Sequence, residues 1–354
     1  MSDAMGAVRR IESVLREEIR RGVFPGAVYA CSRGGRRVRG AVGRIAFSKD
    51  APEVTVQTWY DLASLTKPIC TTAVAAWAVA QERMRLSDPI SRFLPEYVGG
   101  GRERIEVGHL LTHTSGLPAY DSIRLRAPDP AALRERILSS TPTSEPGTRM
   151  EYSCVGFVVL QYAIEAAFGK RLDALFRRAI AQPLGLRRLR FGPLDVRRLP
   201  VAPTEKDRTW RKRRMWGQVH DPIAWQQEGV SGNAGLFGTV GDVARFCRAM
   251  LRSDLQWPWL RVLREWTAPA PALKRGFGWD LYSRTADARE AGCSDRTFGH
   301  TGFTGCSMWV DPDQASYAIL LTNRADCPWD PAAISAARAR FHCAWNESLA
   351  DRSV

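Results

Sequence analysis

The sequence predicts a mixed fold, α/β plus all-α, in which an antiparallel β-sheet is flanked by N- and C-terminal helices and carries an inserted helical lobe. Three observations predict it. A helix pattern opens the chain, another closes it, and β-prone runs gather towards both ends while the middle reads as helices and loops. With 354 residues the chain has length for two lobes. The division expected is 1–84 with 216–354 for the sheet part and 85–215 for the helical part.

Val8, Ile11, Leu15 and Ile19 recur at spacings of three and four in a charged background, which makes one apolar stripe on a helix stopping near Gly22 and Pro25. Gly26 to Cys31 and Arg37 to Val42 are β-prone, and Gly34-Gly35 between them suits a hairpin turn. The Ala-rich segment Thr66 to Arg85 reads as a buried helix, with Pro68 in its first turn, where a missing N–H costs least. Val107 to Pro118 reads as a helix ending in a Gly/Pro turn. From Ser153, the residues Phe157, Leu160, Ile164 and Phe168 keep helical spacing up to Gly169, so Tyr152 falls on the loop before that helix. Leu172 to Ile180 gives a further helix, closed by Pro183-Leu184-Gly185. Gly276 to Tyr282, Cys306 to Val310 and Ser316 to Leu321 read as strands, and Pro331 to Trp345 as the closing helix.

The formal charge is +14, from 51 Lys+Arg against 37 Asp+Glu. Only six of the 51 are lysine, and the arginines are spread along the chain, so neither a nucleic-acid partner nor a membrane surface is expected. The one local cluster, Arg208-Thr209-Trp210-Arg211-Lys212-Arg213-Arg214, reads as a solvated basic face. Eight cysteines without a Cys-x-x-Cys pair read as reduced thiols. Met1 to Arg21 carries charges throughout, and the longest apolar run, Ala73 to Ala80, is too short to span a bilayer, so a cytoplasmic protein is expected. His109 and His113 have zinc-site spacing, but Leu110 stands where a metalloprotease helix needs glutamate. Hydrogen-bonded structural histidines, no metal and no cofactor are therefore expected. The sequence leaves oligomeric state open.

In Ser64-Leu65-Thr66-Lys67 a hydroxyl and an amine stand three residues apart at a helix start and so share a face. Helix N-terminal N–H groups favour negative charge developing on a carbonyl oxygen under attack, which suits a serine nucleophile; a helix cap is the plainer reading of the tetrapeptide alone. Together with Tyr152-Ser153-Cys154 and His300-Thr301-Gly302, the segment resembles the three ordered elements of the serine β-lactamase and penicillin-binding protein superfamily, spaced as in its class C branch. Leu110 to Leu117, Gly235-Leu236-Phe237 and Gly276 to Trp279 also resemble recurring stretches of that family. The segments Val219 to Ala224 and Ser231 to Gly235 resemble a subgroup of esterases and muropeptide-processing amidases, and within the class C-like branch the chain resembles family VIII esterase-like serine hydrolases.

The resemblance implies a β-lactamase/transpeptidase-like fold and acyl transfer through a covalent ester on Ser64. Lys67 and Tyr152 are both candidates for the base, Lys67 only if its amine is neutral. The resemblance also implies an oxyanion hole from the backbone N–H groups of Ser64 and Phe303, with Cys154, His300, Thr301 and Gly302 contacting substrate. Two residues depart from the family pattern. His300 replaces the usual lysine, which weakens attraction for a β-lactam carboxylate, and Cys154 replaces an asparagine whose amide would donate better than a thiol. The expected activity is hydrolysis of a small-molecule ester or amide. Acyl transfer to another acceptor, muropeptide amidase, D,D-peptidase or β-lactamase activity, and a non-catalytic binding role are the alternatives. Tyr120, Trp210, Trp216 and Trp225 are expected to form the walls of the cleft, which His220 can also line.

Overall fold

The computed structural model describes residues 2–119, 126–252, 256–270, 275–281, 292–323, 327 and 330–350. Seven strands form one antiparallel sheet in the order β2-β1-β10-β9-β8-β7-β6, where β1 is Gly26–Arg33, β2 Arg36–Gly43, β6 Arg275–Gly276, β7 Trp279–Leu281, β8 Phe298–Thr301, β9 Ser307–Asp311 and β10 Ser316–Thr322. The first and last strand-forming segments of the chain thus pair beside the β2 edge, with Tyr29 opposite Leu320. Strand alternation sorts the side chains between two cores. Ala27, Tyr29, Cys31, Ala318 and Leu320 face the opening helix Ser2–Arg20 and the closing helix Pro331–Ala350. Val28, Ala30, Ile319 and Leu321 face the other way, into the core that the sheet shares with the helical segments.

The terminal helices are also joined by charge. Arg340 grips the fully buried carboxylate of Glu18 through two hydrogen bonds of 2.6 and 2.9 Å.

Four expectations are corrected. The Ala-rich segment is not one helix to Arg85: a π-helical turn, Lys67–Thr72, leads into an α-helix that stops at Ala80. Its end is local, since Glu82 adopts φ 56° and Arg83 N–H bonds back to the Ala78 carbonyl. Gly276 to Leu281 is a hairpin of β6 and β7, not one strand, because Gly278 turns the chain at φ 78° against Thr72, where a side chain would not fit; Tyr282 lies outside the described residues. The span 85–215 is not wholly helix and loop. Its strand β4 (Leu189–Phe191) joins β3 (Tyr60–Asp61) through β5 (Leu236–Gly238) in a small second sheet. The helices Val240–Leu251 and Pro258–Glu265 were not expected.

Replacing Arg340 with Met leaves the buried Glu18 carboxylate its 3.9 Å contact to Arg21 and should lower unfolding free energy in urea by about 2 kcal/mol. Pairing it with Glu18→Gln should recover part of that loss; equal midpoints for wild type and Arg340→Met would show that the pair does not bind the termini together.

Candidate active site

Strand β3 ends at Asp61, and the chain then turns through Ala63, at φ 47°, into a short 3-10 turn, Ala63–Leu65, that presents Ser64. A left-handed alanine is strained, so the turn must be held by its surroundings. Asp61 does much of this. One carboxylate oxygen accepts the Ala63 N–H at 2.9 Å, the other accepts the His220 N–H at 2.7 Å, and the Asp61 carbonyl accepts the Thr304 hydroxyl at 2.8 Å. Burial raises the Asp61 carboxyl above its ordinary value, while the N–H bonds from His220 and Ala63 act against it.

Lys67 follows one helical turn later and is fully buried. Its Nζ lies 3.0 Å from Ser64 Oγ, 3.1 Å from the Asn233 carbonyl and 3.4 Å from Cys154 Sγ, and 5.0 Å from the centre of the Tyr152 ring. Since the carbonyl can only accept, one Nζ hydrogen is committed to it. Burial favours the neutral amine, but Cys154 and Tyr152 outweigh it, so the Lys67 pKa rises and the residue is an ammonium. Burial also raises the Tyr152 phenol, against the pull of Lys67, and the Cys154 thiol. Lys67 and Ser64 both act to lower the Tyr152 phenol against its burial, and 36% of the residue is exposed. Cys154 starts the helix Cys154–Phe168, which Ser153 caps through the Gly156 N–H.

Tyr152 is wedged between two histidines. His113 stacks on it at 4.4 Å, and its Nδ1 accepts the Ser153 N–H at 3.0 Å; His300, in β8, approaches from another side at 6.0 Å. His113 serves structural hydrogen bonding as expected, as does His109, whose Nδ1 accepts the Glu106 N–H at 3.2 Å. Burial, with help from nearby cations, holds His113 well below the ordinary histidine value and lowers His300 to about 4, although Asp280 opposes this at His300. Both rings are neutral at neutral pH. Among the described residues, no group of three or more His, Cys, Asp or Glu is arranged to hold a metal ion.

Ser64, Tyr152, Cys154, His300, Thr301, Gly302 and Phe303 border one cleft of about 890 Å³, with Lys67 beneath it. Gly302 packs so closely that a side chain there would come within 2.7 Å of the Leu62 carbonyl, which lets the Phe303 turn lie against the Ser64 turn. His220 lines the cleft, stacked on Phe303 at 4.6 Å and 3.1 Å from Glu205. Trp210 also lines it, with Trp225 packed behind at 5.1 Å, whereas Trp216 donates to the Val201 carbonyl and is not part of the wall. Tyr120 lies outside the described residues.

Several supporting residues carry no local signal. Arg338, from the closing helix, donates to the Gly302, Gly305 and Cys306 carbonyls at 2.5 to 3.1 Å and so braces the Phe303 turn. Arg275 pairs with Asp280 and lies 5.8 Å from the Tyr152 ring. Asp61 and Asn233 lie inside segments whose pattern is recognisable, yet their partners are distant in sequence.

A model of the family described as Beta-lactamase matches residues 11–341. A protein of Escherichia coli (strain K12) named "Putative D-alanyl-D-alanine carboxypeptidase" is 28% identical over 309 residues, 78% of this chain and 71% of that one. Among solved structures, EstCE1, described as a hydrolase with promiscuous acyltransferase activity, has a TM-score of 0.80 at 21% identity, covering 98% of this chain and 100% of that one. A class C beta lactamase has a TM-score of 0.78 at 15% identity, covering 96% of this chain and 98% of its own. At these identities the structural likeness concerns the fold, which is β-lactamase/transpeptidase-like.

Proposed function

The chain belongs to the beta-lactamase family, whose members are serine hydrolases, and on that premise we propose that it hydrolyses an ester through a covalent acyl-Ser64 intermediate. The observation carrying this reading is the buried Lys67 ammonium, 3.0 Å from Ser64 Oγ and 5.0 Å from the centre of the Tyr152 ring. The cation lowers the cost of a Tyr152 phenolate, so Tyr152 is the base and Lys67 its electrostatic support. Ser64 Oγ attacks the ester carbonyl and passes its proton to Tyr152. Backbone N–H groups of Ser64 and Phe303 receive the oxyanion. Tyr152 then protonates the departing alkoxide, and in the second half takes a proton from water, whose oxygen attacks the acyl carbon; as the acyl–Oγ bond breaks, Tyr152 returns that proton to Ser64.

An ester is favoured over an amide or β-lactam for two reasons. Neutral His300 offers no cation to a substrate carboxylate, and Cys154 is a poor donor to a substrate amide. Transfer to an alcohol is the second reading, supported by the room in the cleft beyond Ser64 and by the fold likeness to EstCE1.

A panel of p-nitrophenyl esters, nitrocefin, a D-alanyl-D-alanine peptide and a muropeptide tests the assignment, with and without added alcohols. The esters should be turned over with kcat/KM well above the rest. Ser64→Ala should lose about 10³-fold or more and Tyr152→Phe about 10²-fold. Preferential cleavage of the peptide would overturn the ester assignment. Because the pKa values of Lys67 and Tyr152 are both raised, the proton that must leave the pair is held at neutral pH, so ester kcat/KM should climb steadily from about pH 7 to about pH 10. A plateau already reached at neutral pH would contradict that protonation state.

A further inference from the structure

The basic run 208–214 is exposed at Arg208, Lys212, Arg213 and Arg214, as a solvated face would be, but not at Arg211. It belongs to a hairpin that overhangs the cleft, closed by Thr204 N–H to the Met215 carbonyl at 2.8 Å, Met215 N–H to Glu205 at 2.8 Å and Asp207 N–H to Arg213 at 3.0 Å. Arg211 is its hidden centre, with a side chain 2% exposed. It bonds Glu205 at 2.7 Å, Asp207 at 2.6 Å and the His220 carbonyl at 2.8 Å. Asp207 also accepts the N–H groups of Thr209, Trp210 and Arg211. A hairpin pinned in this way is a rigid wall, and Trp210 stands on it against Trp225.

The charges on this wall are unevenly matched. Glu205 and Asp207 are engaged by Arg211, Asp280 by Arg275, and Asp221 by the Ala224 N–H that it caps. Arg338 is spent on backbone carbonyls. Three further cations border the same cleft as Ser64: Lys206 and Arg208 on the hairpin, and Arg126, whose guanidinium lies 4.8 Å over the Trp210 ring. All three are exposed, and among the described residues no carboxylate lies within ion-pair distance of them. Asp221, which lines the cleft and acts on Lys67 and Cys154, disfavours a negative group on its floor.

We propose that Arg126, Lys206 and Arg208, arrayed around Trp210, form an anion-accepting rim, so that the substrate is an ester carrying an anionic group remote from its scissile bond. The proposal rests on the ester-hydrolase reading and adds the substrate's polarity: a neutral reacting end on the floor and a charged end at the rim. Exposed charges act weakly one by one, and three acting together give a preference of several-fold.

Two matched pairs test it. Mono-p-nitrophenyl glutarate and its methyl ester place the carboxylate on the acyl side. The acetate of a carboxylated nitrophenol and that of its methyl ester place it on the leaving group. In at least one pair the charged member should have kcat/KM about five-fold above its capped partner, and about 0.5 M salt should erase the difference. The triple variant Arg126→Ala/Lys206→Ala/Arg208→Ala should lose the preference while keeping kcat/KM on the capped ester within about two-fold of wild type. Equal rates within both pairs, or a preference that survives the triple variant, would overturn the rim. Failure to turn over any of the four esters would instead overturn the hydrolase reading on which the rim depends.

Discussion

A lysine with no exposure to water must be surrounded by groups that replace its hydration, and the site is built around meeting that demand for Lys67. Its three close partners come from different parts of the chain: Ser64 one turn earlier, Cys154 at the head of the helix Cys154–Phe168, and the Asn233 carbonyl before β5. The Asn233 segment is itself held to the other two, since Thr71 donates to the Gly232 carbonyl, the Leu236 N–H bonds Thr66, and the Gly232 N–H bonds Gln161. Placing the ammonium therefore fixes where nucleophile, tyrosine and thiol stand. Removing its partners would leave a buried charge that the fold cannot tolerate.

A second set of contacts sets the height of the turns on either side of Ser64. Asp61 gathers Ala63, His220 and Thr304, and Arg338 clasps three carbonyls of the turn that carries Phe303. These bonds link strand β3, the loop before Pro222, the β8–β9 turn and the closing helix. The opening and closing helices thus do more than cover a sheet face: the closing one carries Arg338 to the site and Arg340 to Glu18.

Local patterns exposed the parts of this arrangement that depend on local spacing. Ser64 and Lys67 meet because they stand three positions apart, Tyr152 precedes a helix whose apolar period is plain, and β1, β2, β9 and β10 are long enough to display β-prone composition. Elements of two or three residues, such as β3, β4 and β5, are too short to show a period, and the hairpin at Gly278 was hidden by its glycines. Pairings such as Asp61 with His220, Lys67 with Asn233 and Arg338 with Gly302 join residues far apart in sequence, and nothing in either partner's neighbourhood announces the other. Arg211 is the sharpest case: within a run of cations it looks solvated, yet two acids and a backbone carbonyl bury it. Burial likewise decides the protonation of Tyr152 and His300, and the neighbours Cys154 and Tyr152 decide that of Lys67 against its burial; residue type alone left all three open.

Covalent chemistry at Ser64 is the claim on which the functional account stands, and intact-protein mass after exposure to a fluorophosphonate probe tests it most directly. The account predicts a single phosphonyl adduct on the wild-type chain, located in the peptide that contains Ser64 and absent from Ser64→Ala. An unmodified wild-type protein, or equal labelling of the variant at Cys154 or elsewhere, would contradict it.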